Sequence, residues 1–171
     1  MLSPEILSDP VELTRALVDI ESVSGNETRI ADAVQAALAG RGHLSVERDG
    51  NVVLASTRLG RQQRVVLAGH LDTVPIAGNL PSTVDGDLMY GCGTSDMKAG
   101  TAVALHLAVT MTEPRYDVTY VFYNNEEVAA ELNGLGRLAR TRPETLAARH
   151  RRSDEFLPGQ FRHRADERPA R

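Results

Sequence analysis

The alternation of apolar and polar residues divides the chain into a readable series of elements. In "SDPVELTRALVDI", Asp9 stands as N-cap, Pro10 at the first helical position and Glu12 at the third, while Val11, Leu13, Leu17 and Ile20 form an apolar stripe. A second helix is predicted from Glu27 to about Ala39, capped by Asn26 and stopped by Gly40. Two short strands, "LSVER" and "NVVLAST", flank the hairpin signal "DGN". "RQQRVVLAGHLD" contains the continuous apolar run Val65, Val66 and Leu67, which predicts a buried central strand. "TVPIAGNLPSTVDGDLMYGCGTSD" reads as loop, and "MKAGTAVALHLAVTM" as a helix packed into a core. "YDVTYVFYNNEE" is a strand ending in acids, and "EVAAELNGLGRLARTR" is a final helix. There is no internal repeat. Two helices, three strands, a helix, a strand and a helix make an α/β fold with a strand–helix–strand crossover.

Composition narrows the functional classes. At 171 residues, 42% hydrophobic and 25% charged, the chain suits one domain with a real core. No window approaches 18 apolar residues, so no transmembrane helix is expected. The acidic, amphipathic N-terminus lacks a basic start and an apolar stretch, so it does not read as a secretory signal. One cysteine, Cys92, cannot form an internal disulfide, and the expected compartment is cytoplasm. The net charge of −4 is uneven: residues 149–171 carry +3, which leaves −7 on 1–148. A mildly acidic body does not point to nucleic acid. Arg outnumbers Lys 18 to 1, which reads as GC-rich coding and not as a functional signal.

Three short segments carry candidate chemistry, each near the end of a predicted strand, where open α/β sheets place their ligands. In "AGHLDTVP", His70 and Asp72 are two apart, so a strand points both side chains the same way. In "YGCGTSDMKAG", Asp96 lies between a glycine turn and a helix. In "NNEEVA", Glu126 and Glu127 close a strand. Singly, these are a core histidine, an N-cap acid and a solvated pair. Together they place imidazole beside carboxylates that repel one another and need a cation, a donor set suited to Zn²⁺ or a similar ion.

"GHLDTVP", "GxGTSDMKAG" and the acid pair, in that order and spacing, resemble the motifs of the M20 metallopeptidase and amidohydrolase family over roughly residues 5–148. The stretch "VFYNNEEVAAELNGLGRLARTRPE" is most similar to that family's desuccinylase branch. The resemblance implies a zinc-aminopeptidase-like catalytic domain, incomplete here, with a mixed sheet flanked by helices. It implies two zinc ions, for which cobalt may substitute, and a small N-acyl amino acid substrate. His70 matches a ligand of one zinc, and Asp72 the acid that orients it. Asp96 matches the carboxylate bridging both ions, followed by a peptide bond often cis in the family. Glu126 matches the general base that takes a proton from the attacking water, and Glu127 a ligand of the second zinc. Asn125 stands where the family usually has another acid.

The resemblance also implies parts not found in this sequence: a further carboxylate ligand, a late His ligand, and an inserted domain that makes the dimer and donates to the oxyanion. Residues 1–148 are therefore read as the N-terminal part of the catalytic domain. Residues 149–171, "RHRRSDEFLPGQFRHRADERPAR", are read as a non-homologous tail, disordered or translated out of frame. His150 and His163 lie among arginines and are poor substitute ligands. His106 reads as core packing, His43 as surface, and Cys92 as a small loop residue. The expected activity is hydrolysis of an N-acyl amide, with succinyl-diaminopimelate as the expected substrate. Another M20 deacylase or peptidase, or a non-catalytic fragment, remains open, and the chain alone is expected to be inactive. Neither nucleic acid nor membrane is expected as a partner.

Overall fold

The computed structural model describes residues 2–147. The readings of the tail, including His150 and His163, lie outside those residues.

Helix α1 (Pro4–Ser8) was not anticipated; Ser3 caps it by accepting from the amide of Ile6. Helix α2 (Pro10–Val18) starts as expected, with Asp9 Oδ1 accepting from the amides of Val11 and Glu12 at 2.8 and 3.3 Å. Helix α3 (Thr28–Leu38) follows without a side-chain cap. The predicted cap, Asn26, is exposed and does not serve. Glu27 is buried instead, and its carboxylate accepts from the amide of Gly25 at 2.8 Å, closing the turn before the helix.

Strands β1 (Ser45–Asp49) and β2 (Val52–Ser56) form the predicted hairpin. Strand β3 (Arg64–His70) runs parallel to the later β6 (Asp117–Tyr123), whose other neighbour is β2. The sheet order is β1-β2-β6-β3. This corrects one expectation: β3 is an edge strand among the described residues, and β6 is central. An apolar run does not separate the two cases. Val65 of β3 is 39% exposed, whereas all seven residues of β6 are buried.

A second correction concerns the long loop after β3. It contains a small hairpin, β4 (Thr83–Asp85) and β5 (Leu88–Tyr90), turned at Asp85-Gly86-Asp87 with Gly86 at φ +57°. Helix α4 (Ala99–Thr110) follows a tight turn over Thr94–Lys98. Helix α5 spans only Gly134–Thr141, not the whole stretch from Glu127. Asn133 caps it by accepting from the amide of Gly136 at 2.8 Å.

Strand alternation sends the sheet's side chains into two cores. Val53, Ala55, Val118, Tyr120 and Phe122 pack against α1 to α4. Val52, Leu54, Val121 and Tyr123 pack against Leu138 of α5 on the other face. The result is a three-layer α/β/α arrangement. Helix α4 lies so close to β3 that a Cβ on Gly69 would sit 2.7 Å from Thr101 Oγ1. His106 of α4 is half-buried and binds the carbonyl of Leu7 at 2.9 Å. His43 is half-buried too, at 2.9 Å from the carbonyl of Ala108, and so is not a free surface residue. No helix among the described residues is long and apolar enough to cross a membrane.

At the start of β6, the carboxylate of Asp117 is fully buried. It accepts from Thr57 Oγ1 at 2.7 Å and from the amides of Leu59 and Arg61 at 2.8 and 2.9 Å. Burial alone would raise its pKa; those donors and Arg64 hold it below the usual carboxylate range. Asp117→Ala should therefore destabilise the chain by about 3 kcal/mol, because it strands the Thr57 hydroxyl and the amides of Leu59 and Arg61. Urea unfolding measures this, and a loss under about 1 kcal/mol would show that the loop holds itself.

Candidate metal centre

The end of β3 places His70 with its side chain 3% exposed. Its Nδ1 lies 3.0 Å from the main-chain carbonyl of Asp72 and 3.6 Å from Asp72 Oδ1. The shorter contact makes the carbonyl the acceptor for the Nδ1 proton, which leaves Nε2 facing outward. Nε2 lies 3.0 Å from Asp96 Oδ1. The Tyr123 ring packs edge-on against the imidazole, with centroids 6.0 Å apart.

Asp72 is fully buried. Its carboxylate does more than face the histidine. Oδ2 accepts from Ser24 Oγ at 2.7 Å and from the amide of Glu127 at 3.0 Å. Oδ1 accepts from the amide of Glu126 at 3.0 Å. Burial alone would raise its pKa; His70, the two amides and Ser24 hold it well below the usual range. For His70, burial disfavours the charged ring, but the bonds to Asp72 and Asp96 outweigh it. Its pKa is pushed up to about 9.

Asp96 reaches the site from the turn before α4. It was expected between a glycine turn and a helix, yet it does not cap α4, and its side chain is 77% exposed. The turn is built by Gly93, at φ +80°, where a Cβ would meet Thr73 Cγ2 at 2.7 Å. The Asp96–Met97 peptide bond is cis.

Beyond β6, the chain turns sharply at Asn125, with φ +59°. Asparagine tolerates that left-handed conformation better than most residues. The turn directs the amides of Glu126 and Glu127 onto Asp72. Glu126 then accepts from Asn133 Nδ2 at 2.5 Å, and so lies against the cap of α5. Burial, then the Glu126 carboxylate, pushes the Tyr123 phenol upward.

The structure thus brings His70, Asp96 and Glu127 together, with one ligand atom of each inside 4.8 Å of the others. This donor set of one imidazole and two carboxylates fits a divalent cation of the zinc class. Asp72 and Glu126 stand beside the cluster, outside that trio. Cys92 is buried, its thiol 3.6 Å from the carbonyl of Val74, and is not in the cluster. Sequence reasoning missed Ser24 and Asn133. Ser24 lies in "SVSG", far from the motifs in sequence, and Asn133 was hidden inside an apparently continuous helix.

Comparison with known proteins gives the family of the chain. Residues 66–161 match the model of Peptidase family M20/M25/M40. A Mycobacterium tuberculosis protein provisionally named succinyl-diaminopimelate desuccinylase DapE is 54% identical over 145 residues, covering 84% of this chain and 41% of that protein. The Corynebacterium glutamicum succinyl-diaminopimelate desuccinylase is 52% identical over 149 residues, covering 84% and 40%. The chain therefore spans about two fifths of the length of the curated relatives it matches. Among solved structures, an M20 family metallo-carboxypeptidase from Sulfolobus solfataricus superimposes with a TM-score of 0.66 at 16% identity, covering 82% of this chain and 36% of that one. With the family model covering more than half its length, this chain belongs to Peptidase family M20/M25/M40.

Proposed function

We propose that this chain carries part of the metal centre of an amidohydrolase that splits N-succinyl-LL-diaminopimelate into succinate and LL-diaminopimelate. The observation that carries the reading is the convergence of His70, Asp96 and Glu127 within 4.8 Å. The 54% and 52% identities to proteins bearing the desuccinylase name support the substrate. Zinc, with cobalt as substitute, suits the donors. His70 and Asp96 would hold one ion, and Asp96 and Glu127 a second. A bound cation of this class acidifies water and polarises a carbonyl.

The chain's own residues have separable tasks. Glu126 accepts the proton of the attacking water and returns it to the departing amine, so that water is divided between the acyl carbon and the nitrogen. Asp72 positions His70 through its carbonyl, and the acid pair through its carboxylate. Each ion would then have two ligands from the described residues, where catalytic zinc usually has three and a water. Further ligands, an oxyanion donor and a dimer-forming domain belong to the remainder of a full-length enzyme, whose expected compartment is the cytoplasm.

Three outcomes test this. His70→Ala should weaken zinc binding, followed by equilibrium dialysis, by more than the 10–100-fold typical of losing an outer partner. Equal binding in both chains would remove the site. Next, zinc affinity should rise with pH, since His70, pushed up to about 9, must release a proton to ligate. The slope should approach about tenfold per unit between pH 6.5 and 8.5, and a flat profile would exclude His70 as a ligand.

The last outcome concerns turnover. Purified alone with zinc, the chain should not hydrolyse N-succinyl-LL-diaminopimelate at a useful rate. Residues 2–147 grafted into the matching part of the Corynebacterium enzyme should restore hydrolysis, and Glu126→Ala in that graft should abolish it. A graft that binds zinc yet cleaves only other acylated amino acids or peptides would replace the substrate assignment. Turnover by the isolated chain, lost in Glu126→Ala, would show that the chain completes its own site.

A further inference from the structure

The composition contains one exception that the fold makes informative. The chain has 18 arginines and a single lysine, Lys98. Lys98 is 1% exposed, and no arginine among the described residues is buried to that degree. Its Nζ donates to the carbonyl of Ile20 at 2.7 Å and lies 3.5 Å from that of Val18. Val18 is the last residue of α2, whose final carbonyls concentrate partial negative charge, and Ile20 lies two residues beyond it, just past the Asp19 cap. A compact ammonium fits between them; the planar fork of an arginine is larger and differently aimed. Coding bias toward arginine thus has an exception at the position where its geometry fails.

Lys98 closes the segment that carries Asp96. Its backbone amide donates to the carbonyl of Gly93 at 2.8 Å, which makes residues 93–98 a loop. Its stem runs past Gly93, where a Cβ would lie 3.4 Å from Lys98 Cδ. The same end of α2 holds the preceding chain. Asp19 Oδ1 accepts from the amide of Ser82 at 2.6 Å, and Gly91 packs so tightly that a Cβ would approach Val18 Cγ1 to 2.5 Å. Asp96, inside the loop, has its carboxylate hydrogen-bonded to His70 and otherwise largely in solvent. Its place is set by the backbone on either side of it. On the C-terminal side, Lys98 is the buried polar tie.

We propose that Lys98 is the positioning residue for Asp96: it pins the 93–98 loop to the chain leaving α2, at Val18 and Ile20, and thereby sets the cation affinity of the site. The proposal rests on the reading of His70, Asp96 and Glu127 as metal ligands. Lys98 touches neither cation nor substrate.

Lys98→Met, which keeps an unbranched buried stem and removes the ammonium, is the test. In the metal-free chain, amide hydrogen exchange over 94–98 should accelerate at least about tenfold while α3 and the β1–β2 hairpin keep their rates. Zinc affinity should fall about 10–100-fold, as for other outer partners. Asp117→Asn, at the far end of β6, should lower stability and leave zinc affinity intact. Unchanged exchange and affinity would overturn the proposal, and so would a uniform acceleration across the fold, which would make Lys98 ordinary core. Failure of the parent chain to bind zinc would defeat the functional reading, while the exchange data still decide the role of Lys98. Should Lys98→Met not fold, the parent chain supplies the answer. Acetylation of its one lysine, read by mass spectrometry, should slow at least about fivefold at saturating zinc, because bound zinc holds the loop closed. His70→Ala should abolish that slowing. An unchanged acetylation rate with zinc bound would overturn the proposal.

Discussion

The buried carboxylate of Asp72 is the constraint on which the site depends. A charge with no solvent exposure must be matched by donors, and here they are a serine hydroxyl and two main-chain amides. Those amides belong to Glu126 and Glu127. Satisfying Asp72 therefore places the acid pair, and the residue that carries the charge also supplies the carbonyl that fixes His70. One desolvation problem organises the ends of β3 and β6 and the Ser24 segment at once. The local energy of such a network exceeds what pairwise bonds suggest, because each member is unsatisfied without the rest.

The sheet supplies the scaffold for this. Strand β6 is buried on both faces, and β3 lies parallel beside it in a register that sets His70 opposite Tyr123. On the helical side, the absence of a side chain at Gly69 lets Thr101 come close enough for its hydroxyl to donate to the carbonyl of His70 at 3.0 Å. The histidine is thus fixed through its carbonyl by a helix and through its ring by Asp72.

Much of this was legible in sequence wherever one local rule decided the outcome. The two-residue spacing brought Asp72 beside His70, although β3 ends at His70 and Asp72 lies just beyond it, and Asp9-Pro10 announced α2. The failures lie where tertiary context decides. A run of Val65, Val66 and Leu67 looks the same in a central and an edge strand. "EVAAELNGLGRLARTR" is rich in helix formers on either side of Asn133-Gly134, but the left-handed turn at Asn125 and the cap at Asn133 reserve its first residues for the site. The Asp85-Gly86 hairpin signal was lost in a segment dominated by glycine and proline. Asp96 resembled a cap because acids before helices usually are caps; its role depends on a histidine 26 residues earlier. The count of one lysine among 18 arginines was visible from the start and had no meaning until its burial was known.

Three of the bonds that build the site and its supports share a property of folding kinetics. Ser24 meets Asp72 across 48 residues, Glu127 meets Asp72 across 55, and Lys98 meets Ile20 across 78. None can form until distant parts of the chain have closed their loops, so their entropic cost falls before any contact rewards it. The donor cluster is accordingly a late product of the whole domain's assembly and has no local precursor. A cation captured there would bind folded molecules and leave unfolded ones unchanged, so its affinity would be drawn from the cooperativity of the entire fold.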